Sequence, residues 1–277
     1  MDQKEYFKLD ARLETSSNDL KRQEILYFRA FIDNAFNRNE ACVKDVDTLV
    51  KDYNIRSTDT ARFVLLNQLQ SDSYFKLYQY AKAGQNADTI LDHYSRSLPK
   101  TETEDIRNDL LMRNALRDIL PQQTIIKSNT TLQWTRDKIG LIGIPVKTKG
   151  VFYSGLFDIR ANISSITQTY AQKLGLHILN VTYNEGSSAT DMQFKTGLGI
   201  ADSLYLGDIL VKNVVFQVMP DTILYIAPFK FQINIIIGFP VIEQLQEVHI
   251  YKEGKMIIPV KPACIILRLT GSTRSSL

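Results

Sequence analysis

From Asn18 to about Arg117 the apolar residues recur every three or four positions, the spacing that gathers them on one face of a helix. Leu20, Ile25, Phe28, Phe31, Ile32 and Phe36 predict a first helix, with Ser17 or Asn18 as its cap and Asn37-Arg38-Asn39 as its end. Val43, Val46, Leu49 and Val50 predict a second, which the short turn folds back antiparallel to the first. Phe63, Leu66, Leu69, Tyr74, Leu77 and Tyr78 continue the pattern to a break expected at Ala83-Gly84-Gln85-Asn86, and Ile90, Leu91 and Tyr94 mark a further helix. A last helix from Glu102 to Arg117 stops ahead of Pro121, because the residue before a proline is pushed out of the helical region.

After Pro121 the period shortens. Apolar and β-branched runs appear at 139–146 (IGLIGIPV), 151–159 (VFYSGLFDI), 203–219 (SLYLGDILVKNVVFQVM) and 233–238 (INIIIG), punctuated by Lys149-Gly150 and Gly207-Asp208 as hairpin turns. Thr167 to Leu174 and Pro240 to Leu245 are the only short helices expected among them. The fold class predicted is α+β: helical hairpins over residues 1–121, an all-β domain over 122–262 and a tail over 263–277, in which Cys264 to Leu269 form a β-prone run.

The chemistry centres on LFDIRANIS, residues 156–164, where an acid ends an apolar run and small, polar residues follow. Three pieces stand in order around it. IPVKTKGVFYSGLFD is a hairpin whose second strand delivers Asp158, DIRANISSITQTYAQKLGL is a loop and short helix, and INIIIGFPVIEQL is an apolar strand running into Gly238 and a helix, with EVHIYKEGKMIIP as a closing hairpin. In this order residues Ile139 to Pro259 resemble the retropepsin-like aspartic peptidases.

That resemblance implies an acid-protease β domain, a peptide or protein substrate, and Asp158 as the catalytic carboxylate. Ile159, Arg160, Ala161, Asn162 and Ser164 occupy the family's loop positions, and Gly238 supports the loop. Peptide hydrolysis of this kind needs one carboxyl to take a proton from water and another to give one to the substrate. Two aspartates a few ångström apart share one proton, because both cannot ionise together. With a single such loop in the chain, the family implies a homodimer in which each copy contributes its Asp158. The segment 185–199 takes the place of the family's flap, with Ser187, Ser188, Thr190, Phe194 and Gly197 as candidate flap residues.

The chain departs from the family pattern directly after the acid. Ile159 lacks the hydroxyl that braces the paired loops, and Arg160 puts a permanent charge and a long side chain where the family has glycine. Two other readings therefore stand beside the enzyme: a catalytically inactive peptide- or protein-binding module, and a monomeric scaffold.

Composition narrows the remainder. Thirty-three basic and 30 acidic residues are scattered without a dense basic stripe, which argues against nucleic acid. The two cysteines, Cys42 and Cys264, are too few for a disulfide framework and wrongly spaced for zinc, so each is expected as a free thiol. His93, His177 and His249 lack metal-ligand spacing, and neither a metal nor an organic cofactor is implied. Asn129, Asn162 and Asn180 begin glycosylation sequons, and Asn162 is better explained by the loop motif. No run approaches the ~20 apolar residues of a membrane span. The start, MDQKEYFKLD, lacks the apolar core of an export signal, while related exported bacterial proteins that pair such a β domain with extra N-terminal sequence imply an exported location. YFKLYQYAKAGQNADTILDHY resembles a tetratricopeptide-type hairpin. Its aromatic and leucine stripe is read first as core and second as a peptide groove.

Overall fold

Helical and extended sequence segregate in the computed structural model, which describes residues 5–186 and 193–263. Seven α-helices precede the first strand among the described residues: α1 (Tyr6–Ser16), α2 (Arg22–Ala35), α3 (Asn39–Asp52), the single turn α4 (Ile55–Thr58), α5 (Thr60–Lys76), α6 (Tyr80–Tyr94) and α7 (Lys100–Leu116). Successive long helices pack on one another, α2 on α3, α3 on α5, α5 on α6 and α6 on α7. One core gathers Leu26, Ala30, Cys42, Val46, Leu49, Phe63 and Leu66, and a second gathers Val64, Ala87, Ile90 and Ile106.

Three details differ from the sequence reading. Helix α1 was not foreseen, because it buries only Leu13 and so carries too thin an apolar stripe to show a period. Helix α2 starts after Lys21 rather than at Ser17 or Asn18. Ser17–Asp19 form a 3-10 turn, and the Glu24 carboxylate reaches back to accept from the Lys21 N–H at 2.8 Å. The break expected at Ala83–Asn86 lies instead at Leu77–Gln79, where Tyr78 takes a left-handed conformation with φ 58°, and α6 runs unbroken through Gly84. Gly84 is there for close approach: a Cβ on it would stand 3.0 Å from Asn114 Oδ1 of α7.

Cys42 is fully buried, and burial above all pushes its thiol up to about 11, although a hydrogen bond with Ser73 opposes the shift. At pH 8 its thiolate population should be on the order of 200-fold below that of an exposed thiol. Alkylation at Cys42, located by peptide mass mapping, is expected to be correspondingly slow in the native protein and fast in denaturant.

The β half contains β1 (Gln123–Ile125), β2 (Thr130–Gln133), β3 (Thr135–Arg136), β4 (Ile142–Thr148), β5 (Val151–Phe157), β6 (Ser164–Thr167), β7 (His177–Ile178), β8 (Tyr183–Gly186), β9 (Gln193–Leu206) and β10 (Ile209–Met219). After these come β11 (Tyr225–Ile226), β12 (Phe231–Gln232), β13 (Ile235–Ile237), β14 (His249–Tyr251) and β15 (Lys255–Ile258). Helix α8 (Gln168–Leu174) follows β6, and α9 (Phe239–Glu243) follows β13. Six strands close on themselves in the order β4, β5, β13, β6, β10, β9 and back to β4. Closure removes the exposed edges that an open sheet would leave. The interior is apolar, with Ile144, Val146, Ile166, Leu204, Phe216, Ile235 and Ile237 almost fully buried. The hairpin turns fall where expected, Lys149 and Gly150 at φ 47° and 83° and Gly207 at φ 60°. Strands β14, β15 and β2 form a separate three-stranded sheet.

The helical and β halves share a third core. Tyr80 and Leu116 pack with Tyr183, Leu198, Ile200 and Val215, and Ile163 of the loop after Asp158 joins its rim. Beside it the Tyr78 hydroxyl accepts from Gln122 Nε2 at 3.2 Å and Gln244 Nε2 at 3.1 Å. Each of these amides keeps another acceptor, Pro240 O and Gln122 O respectively, when that hydroxyl is removed. Tyr78→Phe is therefore expected to cost only about 1–2 kcal/mol, the net value of the lost bonds, in a urea titration. Among the described residues no helix is long and apolar enough to cross a membrane.

Candidate active site around Asp158

Strand β13 is inserted between β5 and β6. It runs parallel to β5, with Ile236 opposite Leu156 and Ile237 opposite Phe157, and antiparallel to β6, with Ile235 opposite Ile166 and Ile236 opposite Ser165. The connection 158–163 must therefore arch over the end of β13, where Gly238 leaves it. Residues separated by some 80 positions meet as a result.

Three backbone donors tie the two segments. The Asp158 N–H donates to Ile237 O at 3.1 Å, the Phe239 N–H to Ala161 O at 2.8 Å, and the Gly238 N–H to Ser164 Oγ at 3.0 Å. Ser164 is only 1% exposed, so its hydroxyl is committed to this contact. Glycine is required at 238 by packing: a Cβ there would lie 2.7 Å from Ile163 C and 2.8 Å from both Ala161 O and Ile163 O.

Asp158 is half-buried at the strand end. Its Oδ1 accepts from the Arg160 N–H at 2.9 Å, and its carbonyl accepts from the Ala161 N–H at 3.3 Å, a tight turn that fixes the carboxylate relative to the loop. The amide two residues after the acid thus approaches the carboxylate although arginine, not glycine, supplies it. The Arg160 side chain is exposed and forms no ion pair among the described residues. Ile159 is 64% exposed, and Phe239, on the strand-end segment hydrogen-bonded to the loop, is 37% exposed. Apolar surface therefore flanks the acid. Asn162 is exposed on the same loop.

The flap candidates are divided. Phe194, half-buried, sits on β9 opposite Glu185, and Gly197, also on β9, faces Val218 of β10, whereas Ser187, Ser188 and Thr190 lie outside the described residues. Neither Phe194 nor Gly197 contacts the Asp158 loop through a hydrogen bond. The β8–β9 hairpin is rooted on α7: the Asn184 N–H donates to Asn108 Oδ1 at 2.7 Å, and Asn108 Nδ2 returns a bond to Asn184 O. A buried Gln217 amide donates to Tyr183 Oη at 3.2 Å and Glu185 Oε2 at 2.8 Å. Burial raises the Tyr183 hydroxyl above its ordinary range, while the Gln217 bond lowers it. The periodicity of the chain gives no sign of this polar cluster, since Gln217 stands inside an apolar strand run; a lone amide in such a run is the one signal available.

The fold and the site define an α+β protein with a closed β-barrel whose strand-end acidic loop is clasped by a glycine strand. No family model matches the sequence, and no curated protein matches it. Among solved structures the chain is similar to a retropepsin-like aspartic protease from Rickettsia conorii, at 17% identity and a TM-score of 0.32, over 50% of this chain and 94% of that one.

Proposed function

We propose that residues 122–262 form a retropepsin-like domain joined to a separate helical domain, and that two copies of this domain pair to hydrolyse peptide bonds. The observation that supports this reading most is the clasp, in which the loop bearing Asp158 and the strand ending in Gly238 are bound by three hydrogen bonds although far apart in sequence. Such bracing is what a carboxylate needs to hold a water at a fixed position.

In the proposed reaction the two Asp158 carboxyls meet across a two-fold axis and share one proton. The ionised member takes a proton from water as that water attacks the scissile carbonyl, and the protonated member gives its own to the carbonyl oxygen. Collapse of the tetrahedral intermediate with proton transfer to the leaving nitrogen completes the cleavage. Ile159 and Phe239 provide apolar surface beside the acid for the second copy to cover. The exposed Ile159 also favours a second reading, a peptide-binding module without turnover, because it offers no hydroxyl to brace the opposed loops.

The test incubates a diverse peptide mixture, from acidic to neutral pH, with the parent protein, Asp158→Asn, and an Ile159→Thr/Arg160→Gly double variant, while light scattering reports the mass. Pepstatin-sensitive cleavage by a dimeric parent, lost in the asparagine variant, is the expected result. Cleavage by the double variant alone supports the binding module. Silence from all three, or a protein that stays monomeric at high concentration, overturns the peptidase reading.

A further inference from the structure

Both segments of the clasp around Asp158 are also held from the helical side. Directly after Gly238 and Phe239, the carbonyl of Pro240 accepts from Gln122 Nε2 at 2.9 Å and from the Tyr78 hydroxyl at 3.4 Å. Gln244, at the end of α9, closes the ring by donating to Tyr78 Oη at 3.1 Å and to Gln122 O at 3.3 Å. Asn37, in the turn between α2 and α3, donates from its side chain to the Glu243 carboxylate of α9. On the other segment, Ile163 packs against the core that Tyr80 and Leu116 share with the barrel.

Two of these contacts use residues that carry a cost. Gln122, between α7 and β1, is only 5% exposed, and burying a side-chain amide is unfavourable unless its hydrogen bonds are made. Tyr78 is a bulky residue in the left-handed region, at φ 58°. Glycine at 78 would make the same turn without strain but would bring no hydroxyl to Pro240. Strain of this kind persists where the surrounding structure over-determines the conformation, and it gathers at functional sites.

We propose that Gln122 and Tyr78 are positioning residues, which fix Pro240 and through it the loop that carries Asp158. The connection is continuous. Pro240 is bonded to Phe239, the Phe239 N–H donates to Ala161 O, and the Ala161 N–H donates to Asp158 O. The catalytic consequence rests on the peptidase reading, in which two carboxyls must come close enough to share one proton. Small displacements of reacting groups cost rate, so the loss is expected in kcat rather than in KM.

The test is made on the full chain. Exchange of the Phe239 N–H, which reports the clasp, is followed by NMR beside that of the Trp134 N–H, whose bond to Gly254 O involves neither segment of the clasp. The ratio of the two rates is expected to rise about tenfold in Gln122→Met and about threefold in Tyr78→Phe. The second variant leaves both amides an acceptor, so it decides the matter if Gln122→Met folds poorly. Equal acceleration at both amides, the mark of a general loss of stability, overturns the proposal, as does an unchanged ratio. With a fluorogenic peptide that the parent cleaves, well below the melting temperature, kcat is expected to fall about tenfold in Gln122→Met while KM changes less than about twofold. A raised ratio with an unchanged kcat overturns the positioning role. A parent that cleaves no peptide overturns the peptidase reading instead, and the exchange ratio still decides whether these residues hold the loop.

Discussion

Replacing Gly238 with alanine is expected to lower stability by about 3 kcal/mol or more. The three atoms a new Cβ would meet, at 2.7–2.8 Å, all belong to the backbone of Ala161 and Ile163, and no side-chain rotamer relieves them. The loop must lift from the strand, and doing so breaks the bonds from Phe239 to Ala161 and from Gly238 to Ser164. For a chain of this size that corresponds to a fall in melting temperature of roughly 6–12 °C by calorimetry. Gly186→Ala is the control, because a Cβ there meets nothing within 4 Å among the described residues. Equal, small effects at both positions would show that the loop is loosely held and would remove the strongest support for the site.

On the proposed peptidase reading, Asp158→Asn is expected to reduce peptide cleavage by at least about a thousandfold while leaving melting almost unchanged. Asparagine keeps an oxygen where Oδ1 accepts the Arg160 N–H, so the turn survives the change. What disappears is the carboxyl that exchanges a proton with water in the proposed reaction, and in the proposed symmetric dimer both copies lose it together. A large drop in stability alongside lost activity would mean that Asp158 serves the turn rather than the reaction. Separate measurement of kcat and of the unfolding midpoint distinguishes the two.

The elements that were legible in the sequence are those with a strong period or an obligatory turn residue. Helices α2, α3, α5, α6 and α7 followed from apolar spacing, and the β4–β5 and β9–β10 hairpins from Lys149-Gly150 and Gly207-Asp208. Gly84 misled because glycine usually punctuates a helix; here it lets α7 come close, and a tyrosine with positive φ makes the turn instead. Helix α1 escaped notice because one buried residue makes no stripe.

Around Asp158 the local sequence likewise told only part. It placed an acid at a strand end and a glycine after a later apolar strand. Whether Arg160 faces the carboxylate is a matter of side-chain direction, which spacing cannot supply, and the structure turns it to solvent while its amide holds Oδ1. Charged residues at helical spacing on α7 read in isolation as a solvated face, and only the packing of α5 and α6 against them makes a cavity.

By itself the sequence determined the α+β class, the order of helices before strands and the one acidic loop, because periodicity and turn chemistry are local properties of a chain. Tertiary structure alone decided the insertion of β13 between β5 and β6, the clasp of Gly238 on the Asp158 loop, and the joining of the two halves through Tyr78, Tyr80 and Leu116. These depend on which distant surfaces bury one another, and burial is a property of the folded whole rather than of any stretch within it.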